Sequence, residues 1–380
     1  MNRRSFLRCL GCGAAATALP HADFLPDLLG GIENACAIDL SDALSSEEAR
    51  HYTKLAGGGI ECRLCPRRCR VTDLERGYCG VRENRGDTYH TLVYGKPCAV
   101  NVDPIEKKPL NHFYPGTAAF SLATAGCNVN CKFCQNWEIS QSRPEQTKNF
   151  DLPPEAAVAL CRQQGAPTIA FTYSEPTVFY EYMYDIARLG RAQGIRSVMI
   201  TGGYIEEAPL AELMPHLDAI KVDLKAIRAS YYRDVVRGEL TPVLERLQQI
   251  RKAGLWLELV YLVVPTLNDS DAEFRELGQW VFRYLGADVP LHFSRFTPQY
   301  LLEHLPPTPV ATLERAHAIA GAEGLRFVYV GNVPGHRAES TWCPGCGALV
   351  IERRGYRTSA AGLAGDRCVA CGREIPGRFK

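Results

Sequence analysis

The amino-acid sequence predicts an α/β fold in which parallel strands form either a barrel or a doubly wound sheet. From about residue 115 onward, short apolar runs alternate with segments of helical periodicity. The runs are apolar on both faces, as is expected of buried parallel strands. The predicted strands are Ala119–Ala125, Thr168–Thr172, Ser197–Thr201, Ala219–Asp223, Leu255–Val264, Leu291–Phe296 and Arg326–Val330.

Prolines and glycines mark the ends of the helices between the predicted strands. A proline in the first turn and a glycine after the last turn are typical boundaries of a helix. The sequence shows this pairing three times, from Pro176 to Gly194, from Pro242 to Gly254 and from Pro309 to Gly324. The alternation stops after Gly335, and a short cysteine-rich segment follows.

The composition and charge of the chain argue against several classes of function. Of its 380 residues, 46% are hydrophobic and 22% are charged, which is typical of a soluble globular protein. The 43 Lys and Arg residues nearly balance the 42 Asp and Glu residues, so charge indicates neither nucleic acid nor an anionic membrane as a partner. No apolar run is long enough to form a transmembrane segment.

Cysteine is the unusual component of the sequence. The chain has 16 cysteines, and 11 of them fall into one central group and two flanking groups. The central group consists of Cys127, Cys131 and Cys134. In a large chain with several C-x2-C pairs, metal ligation accounts for such grouping better than a disulfide framework does.

The central cysteines follow the first predicted strand directly, with C-x3-C-x2-C spacing. Three thiolates this close on a loop can wrap one face of a [4Fe-4S] cluster. Three ligands for four irons leave one iron open to an exogenous ligand, whereas a purely structural or electron-transfer cluster normally has all four places filled. The alternatives are a zinc knuckle whose fourth ligand lies elsewhere, and buried free thiols.

Each flanking group has four cysteines, enough to close a metal site. Cys62, Cys65, Cys69 and Cys79 could bind a tetrahedral zinc ion or a further iron–sulfur cluster, since thiolate softness alone does not separate the two. Cys343, Cys346, Cys368 and Cys371 form two C-x2-C pairs separated by 21 residues, close to the zinc-ribbon pattern. A rubredoxin-like iron is the alternative for this second group.

The first residues of the chain resemble a twin-arginine signal. Asn2–Arg8 contains the arginine pair and Phe-Leu, a weakly apolar stretch follows, and Ala35–Ala37 offers a small-residue cleavage site. With such a signal, the protein would be assembled in the cytoplasm and then exported to the periplasm. The alternative is that these residues form an uncleaved basic tail. The sequence therefore predicts a signal and linker at 1–45, a Cys-rich module at 46–112, a barrel at 113–336 and a zinc-ribbon-like module at 337–380.

The central motif, with Phe133 before its last cysteine, resembles the signature of radical S-adenosylmethionine (SAM) enzymes. Further stretches resemble the radical SAM enzymes of the AmmeMemoRadiSam system, which are relatives of pyruvate formate-lyase-activating enzyme. These stretches are Cys62–Cys69, Tyr78–Arg82, Asp103–Leu110, Gly126–Trp137 and Trp342–Cys346. The resemblance extends from about residue 50 to residue 380.

This resemblance implies a partial or complete TIM-like barrel, with the [4Fe-4S] cluster and SAM at the carboxyl ends of the strands. It implies an oxidoreductase in which one electron from the cluster cleaves SAM to methionine and a 5′-deoxyadenosyl radical, which abstracts hydrogen from a substrate. The substrate, a protein residue or a small molecule, is not indicated. A low-potential electron donor and Memo-type and Ammecr-type proteins are the implied partners.

The resemblance also suggests residues that contact SAM. Tyr173, Ser174 and Glu175 end the second predicted strand, where the family contacts the amino group of SAM; only Glu175 and the proline after it are retained in kind. The alternative is that Glu175 only stabilises a helix N-terminus.

Two later strand ends add candidates. Asp223 and Lys225 resemble the Asp-x-Lys of activating enzymes, whose side chains reach the SAM ribose or carboxylate, and strand alternation points both to one side. The alternative is a surface ion pair. Gly202 would permit close approach of the ligand to the backbone.

The charged stretch Asp103–Lys108 lies near the site by resemblance, although its charge alone predicts a solvated turn. His112, His292 and His304 form no metal pattern and are expected to be structural. The competing hypothesis for the whole chain is a non-catalytic Fe–S or zinc protein for electron transfer or protein interaction.

Overall fold

The computed structural model describes residues 40–41 and 43–379, and its centre is an eight-stranded, mostly parallel sheet. Its strands are β1 (Ala99–Pro104), β2 (Ala118–Ala123), β3 (Thr168–Phe171), β4 (Arg196–Thr201), β5 (Ala219–Asp223), β6 (Trp256–Val263), β7 (Leu291–Arg295) and β8 (Val328–Gly331). They lie in chain order across the sheet; β1 runs antiparallel to β2, and β2 to β8 are parallel. Among the described residues the sheet is open, with β1 and β8 at its edges, so it does not close into a complete barrel.

The predicted α/β fold is confirmed, and each of the seven predicted strands ends within two residues of an observed one. Their apolar runs are buried on both faces because helices cover a parallel sheet. The edge strand β1 was not predicted. It lies within 46–112, and its residues are mostly half-exposed, so it lacks the apolar run that identified the other strands.

Helices follow the parallel strands as the sequence predicts. They are α1 (Pro154–Gln163), α2 (Tyr180–Ala192), α3 (Glu207–Leu213), α4 (Leu240–Lys252), α5 (Asp271–Tyr284) and α6 (Val310–Ala322). Shorter helical segments are Ala56–Gly58, Ile105–Lys107, Trp137–Ser140, Pro144–Gln146, Pro176–Phe179, Met214–His216, Ala229–Tyr231, Tyr232–Val236, Tyr300–Leu302 and Arg337–Glu339. The apolar stripe of α2 is buried through Met183 and Ile186, each of which contributes about 1.5–3 kcal/mol.

The segment before β1 forms two small antiparallel sheets. Their strands are Tyr52–Lys54, Ile60–Cys62 and Arg70–Val71 in one, and Glu47–Glu48, Thr88–Thr91 and Arg82–Arg85 in the other. Arg82 is 1% exposed and forms an ion pair with Glu181 of α2. A buried ion pair thus fastens this segment to the central sheet.

The segment after β8 is a small β-structure that packs on the end of the sheet. Its strands are Thr341–Trp342, Leu349–Arg354, Arg357–Ser359, Leu363–Ala364 and Arg367–Cys368. Phe327 and Tyr329, which flank the start of β8, share a buried apolar cluster with Cys343, Ile351 and Ile375. The last module therefore has little core of its own.

Of the predicted signal and linker at 1–45, the structure describes only residues 40–41 and 43–45, so the twin-arginine signal itself lies outside the described residues. In the part of the chain that the structure describes, no helix is both long enough and apolar enough to cross a bilayer.

We expect Arg82→Met to lower the free energy of unfolding by about 3–5 kcal/mol, because it leaves the buried carboxylate of Glu181 without its partner. The matched control is Arg315→Met, which removes an ion pair to Asp271 whose side chains are 50% and 56% exposed. The control should cost less than about 1 kcal/mol. Denaturant unfolding of both variants measures the difference, and equal losses would show that the buried pair does not fasten the segment.

Candidate active site

A cavity of about 660 Å³ lies at the carboxyl ends of the parallel strands. It is lined by all three central cysteines and by all six predicted SAM-contacting residues. These are Cys127, Cys131, Cys134, Tyr173, Ser174, Glu175, Gly202, Asp223 and Lys225. The structure thus brings together residues that span nearly a hundred positions of the sequence, as expected for loops that leave parallel strands at the same edge.

The cysteine loop is held by its backbone and by one buried amide. Gly126 has φ +93°, and a Cβ at this position would lie 2.6 Å from Val81 Cγ1 and 2.7 Å from the Cys79 carbonyl oxygen. Only glycine fits there without displacing its neighbours. On the other side of Cys127, the buried Asn128 side chain donates to the Tyr204 carbonyl at 2.7 Å.

Two thiols of this loop, those of Cys127 and Cys131, are strongly desolvated. Burial raises the pKa of Cys131 to about 12, although the nearby Lys225 ammonium opposes the shift. Burial likewise raises the pKa of Cys127 well above its ordinary value. Thiols in this environment ionise when a metal centre replaces the proton, so the donor set fits a thiolate-ligated cluster.

Glu175 is a buried carboxylate that both caps a helix and faces the cavity. Its Oε1 accepts hydrogen bonds from Thr177 N at 3.0 Å and from Thr201 Oγ1 at 2.6 Å. Its Oε2 accepts from Gly202 N at 2.8 Å. Glu175 therefore caps the helix and lines the cavity at the same time. Its hydrogen bonds hold the carboxylate rigidly at the edge of the space where a ligand cation would lie.

Tyr173 adopts a left-handed backbone conformation, with φ +65°, that costs a residue other than glycine about 1 kcal/mol or more. Its carbonyl accepts from Asn136 Nδ2 at 2.8 Å, and its hydroxyl donates to Asp103. The first contact ties the end of the cysteine loop to the predicted SAM segment.

The charged stretch Asp103–Lys108 is not the solvated turn that its charge predicts. Lys108 Nζ lies 2.5 Å from Asp103 Oδ2 and 4.4 Å from the Tyr173 ring centroid, and both charged residues are buried. Burial lowers the pKa of Lys108 to about 8, even though the Asp103 carboxylate opposes the shift. The placement implied by the resemblance is the one observed, since Lys108 lines the cavity.

Asp223 and Lys225 do form an ion pair, but it lines the cavity and does not lie on the outer surface. Lys225 Nζ is 3.1 Å from Asp223 Oδ2, and Lys221 also contacts this carboxylate. Burial alone would raise the pKa of Asp223, but the two lysines bring it to about 2. The sequence analysis did not predict a role for Lys221. A lysine inside an apolar strand, two residues before Asp223 and so on the same face of the strand, could have indicated one.

Part of the cavity wall is a buried polar network that the sequence did not reveal. His292 Nε2 lies 2.8 Å from Glu258 Oε2, and the backbone N–H of His112 donates to Glu258 Oε1 at 2.8 Å. His112 also contacts the Tyr329 hydroxyl. Burial lowers the pKa of His112 to about 4 and also lowers the pKa of His292. The expectation that these two histidines are hydrogen-bonded is met.

The last module contributes both a candidate metal site and part of the cavity wall. The sulfur atoms of Cys343, Cys346, Cys368 and Cys371 all lie within 4.8 Å of one another. Arg353 and Tyr356, on the hairpin between these cysteine pairs, line the central cavity. Nothing in the sequence pattern indicated that this hairpin would reach the site.

The first four cysteines line one small cavity. Cys62, Cys65, Cys69 and Cys79 share it with the buried Arg82 and with Tyr89. Cys79 also borders a larger cavity together with Cys127.

The chain is similar to a known protein family and to several known proteins. The model of the Radical SAM superfamily matches residues 121–278. An uncharacterized protein of Methanocaldococcus jannaschii is 45% identical over 330 residues, which cover 86% of this chain and 98% of the relative. The pyruvate formate-lyase-activating enzyme of Clostridium pasteurianum is 24% identical over 156 residues, covering 40% of this chain and 65% of that enzyme. A solved domain of the pyruvate-formate lyase-activating enzyme from Bacteroides vulgatus superposes with a TM-score of 0.38 and 13% identity, over 43% of this chain and 98% of that domain.

The buried histidine network predicts a pH dependence of stability. The pKa of His112 falls from 6.5 to about 4 on folding, so the unfolded chain binds the proton more readily between these values. The stabilisation by the neutral ring is therefore complete above about pH 6.5 and is lost progressively as the pH falls toward 4. We expect His112→Gln to flatten the decline in melting temperature over this range.

The control is His304→Gln, which removes an exposed histidine outside the network. Thermal unfolding at several pH values between 4 and 7 makes the comparison. Parallel curves for wild type and His112→Gln would contradict the assignment.

Proposed function

The chain belongs to the radical SAM superfamily, and we propose that it is an oxidoreductase that cleaves SAM reductively and abstracts hydrogen from a substrate, in the manner of an activating enzyme. One observation carries this proposal: three cysteines and six residues assigned to SAM on separate grounds line a single cavity. Similarity to proteins named as activating enzymes supports the activating-enzyme character.

The donor set of the cavity fits a [4Fe-4S] cluster and SAM. Three of the described cavity-lining residues are cysteines, which leaves one iron of such a cluster to an exogenous ligand. When bound, the cluster and SAM would supply a carbon-centred radical through one-electron cleavage of the sulfonium. The protein must therefore hold the cluster, orient SAM and exclude water.

We assign the charged residues of the cavity to complementary groups of SAM. Glu175, fixed by its hydrogen bonds, suits the ammonium group, and Gly202 leaves room beside it. Asp223 suits ribose hydroxyls as an acceptor, while the Lys225 ammonium suits the carboxylate. Each of these SAM groups would thus meet a protein side chain of complementary charge or hydrogen-bonding character.

The remainder of the cavity is assigned to the substrate. Lys108, His292, Arg353 and Tyr356 line it without belonging to the SAM set. The whole cavity measures about 660 Å³ and must also hold the cluster and SAM, so a protein substrate would enter it only as a single side chain or loop. An external low-potential electron donor is required.

Several finer assignments remain predictions from the sequence motifs. These are the AmmeMemoRadiSam system with its Memo-type and Ammecr-type partners, zinc in the last module, the four-segment domain division, and export to the periplasm.

We expect Cys131→Ala to abolish formation of 5′-deoxyadenosine from SAM, because it removes one of only three protein ligands to the cluster. The assay uses the anaerobically reconstituted full chain with a strong reductant and chromatographic detection. Cys98→Ser, outside the three cysteine groups, is the control and should retain activity. If the wild type binds a cluster but no strong reductant produces 5′-deoxyadenosine, the proposed function is wrong.

We expect Asp223→Asn to weaken SAM binding by about tenfold or more, since charge-assisted hydrogen bonds contribute about 1.5–3 kcal/mol. Calorimetric titration of the reconstituted protein measures the dissociation constant, and iron content should stay unchanged. Asp218→Asn is the matched control, because Asp218 lies just before the opposite end of the same strand. An unchanged dissociation constant for Asp223→Asn would remove this residue from the SAM site.

A further inference from the structure

Arg353 is a buried cation in the wall of the central cavity. It lies on the strand Leu349–Arg354 of the last module, is 5% exposed and lines the cavity. Among the described residues, the hydrogen-bond acceptors of its guanidinium are all uncharged oxygen atoms, and no carboxylate forms an ion pair with it. A buried charge is costly when it is left unpaired, so this side chain is an unusual component of the wall.

Two N–H bonds of the Arg353 guanidinium have no acceptor in the described part of the chain. Nη1 donates to the Glu339 carbonyl at 3.2 Å and to Thr341 Oγ1 at 2.9 Å, and Nη2 donates to the Asn111 carbonyl. A guanidinium has five N–H bonds, so one on Nη2 remains free, as does the one on the buried Nε. A carboxylate or a phosphate accepts two such bonds at once.

The groups behind Arg353 supply no negative charge either. The Pro376 carbonyl, 2.6 Å from His112 Nδ1, can only accept, so His112 Nε2 is left to accept from the Tyr329 hydroxyl. Thr341 Oγ1 then donates to the Tyr329 oxygen at 2.8 Å while it accepts from Arg353. Every member of this chain after Arg353 is neutral, since burial lowers the pKa of His112 to about 4.

The charge of Arg353 acts on two side chains that line the cavity, His292 of β7 and Tyr329 of β8. Burial lowers the pKa of His292, and the guanidinium contributes to the same shift. Burial raises the pKa of Tyr329, and the guanidinium opposes that shift. Arg353 therefore contributes positive potential at the part of the wall that β7 and β8 form.

The carboxylates in this part of the molecule are held by other donors. Glu258 accepts four hydrogen bonds, one of them from His292 Nε2 at 2.8 Å. Glu106 and Glu339 line the cavity, and each accepts from the backbone N–H of a glycine. Because none of these carboxylates pairs with Arg353, a ligand anion would meet a guanidinium whose charge is still available.

This part of the wall is separate from the predicted SAM contacts. Those residues follow β3, β4 and β5, whereas the wall around Arg353 is formed by β7, β8 and the last module. The carboxylate of SAM is assigned to Lys225, so an anion beside Arg353 would belong to a second molecule.

We propose that Arg353 binds a carboxylate or phosphate group of the substrate in the central cavity. The identification of this anion as part of a substrate rests on the proposed function, whereas the binding of an anion at Arg353 does not. The ligand would complete the two free N–H bonds and offset the buried charge, in place of a protein carboxylate. It would also place the anionic end of the substrate away from the predicted SAM contacts.

Binding of small anions to the full chain tests the proposal. The probes are inorganic phosphate and propionate, with propionamide as the neutral counterpart of propionate, and ligand-observed NMR follows their binding. The anaerobically reconstituted protein is kept oxidised and saturated with SAM, so that the SAM site is occupied and no SAM is cleaved. We expect at least one of the two anions to bind about tenfold or more tightly than propionamide, because charge-assisted hydrogen bonds supply most of the affinity. The anion that binds more tightly identifies the recognised group as a carboxylate or as a phosphate.

Arg353→Gln should weaken the binding of that anion by about tenfold or more. Arg353→Lys should weaken it by about threefold, because it keeps the charge but loses the two parallel N–H bonds. The matched control is Arg354→Gln, at the next position of the same strand, where the side chain is 82% exposed. Its effect should stay within about twofold. Unchanged iron content and an unchanged dissociation constant for SAM in Arg353→Gln would show that the variant is folded and that the guanidinium does not bind SAM.

Equal affinity of wild type and Arg353→Gln for both anions would overturn the proposal, as would a wild type that binds neither anion more tightly than propionamide. A loss of SAM affinity in Arg353→Gln that is restored in Arg353→Lys would assign the guanidinium to SAM and would also overturn it. Should Arg353→Gln not fold, Arg353→Lys takes its place, and an unchanged anion affinity in that variant counts against the proposal. Formation of 5′-deoxyadenosine is measured separately: anion binding without SAM cleavage would refute the proposed function alone, and SAM cleavage without anion binding would refute this site alone.

Discussion

The desolvation of the Cys127 and Cys131 thiols at the carboxyl edge of the sheet is the constraint on which the site depends. A thiol such as Cys131, with its pKa raised to about 12, stays neutral near pH 7 until a cationic centre replaces its proton. The backbone around it is nevertheless fixed in advance, by the close approach at Gly126 and the buried amide of Asn128. Metal binding would therefore change the charge of the loop with little change in its backbone conformation. Such preorganisation is expected of a site that is built on rigid strands.

Charge inside the cavity is arranged in shared pairs. Asp103 contacts both Lys107 and Lys108, and Asp223 contacts both Lys221 and Lys225. Each group has one carboxylate between two ammonium ions, so each retains one excess positive charge after the cost of burial has been offset by pairing. The Lys225 ammonium acts on the Cys131 thiol, where the negative charge of a thiolate-bound cluster would develop.

The sequence predicted the parallel strands well because burial on both faces leaves a local signature of continuous apolar residues. It predicted the central cysteines from spacing, and the SAM candidates from their position at strand ends and from the family resemblance. It missed β1, whose half-exposed residues lack that signature. It also missed Glu258 and Arg353, whose placement depends on contacts between residues far apart in the chain, such as the 147 positions between Asn111 and Glu258. Contacts between residues so far apart in the chain form only when the sheet assembles, and they produce no periodic pattern in the sequence.

The two flanking modules are coupled to the cavity in different ways. The first contacts the residues on either side of Cys127 and is fastened through the buried pair of Arg82 and Glu181, so it shapes the loop that holds the thiols. The last supplies the hairpin that holds Arg353 and Tyr356, and its own core is the small cluster it shares with the start of β8. With so little core, this module would gain folding free energy from a metal ion bound at its four cysteines. A metal bound at these four cysteines would therefore also stabilise the part of the cavity wall that Arg353 and Tyr356 form.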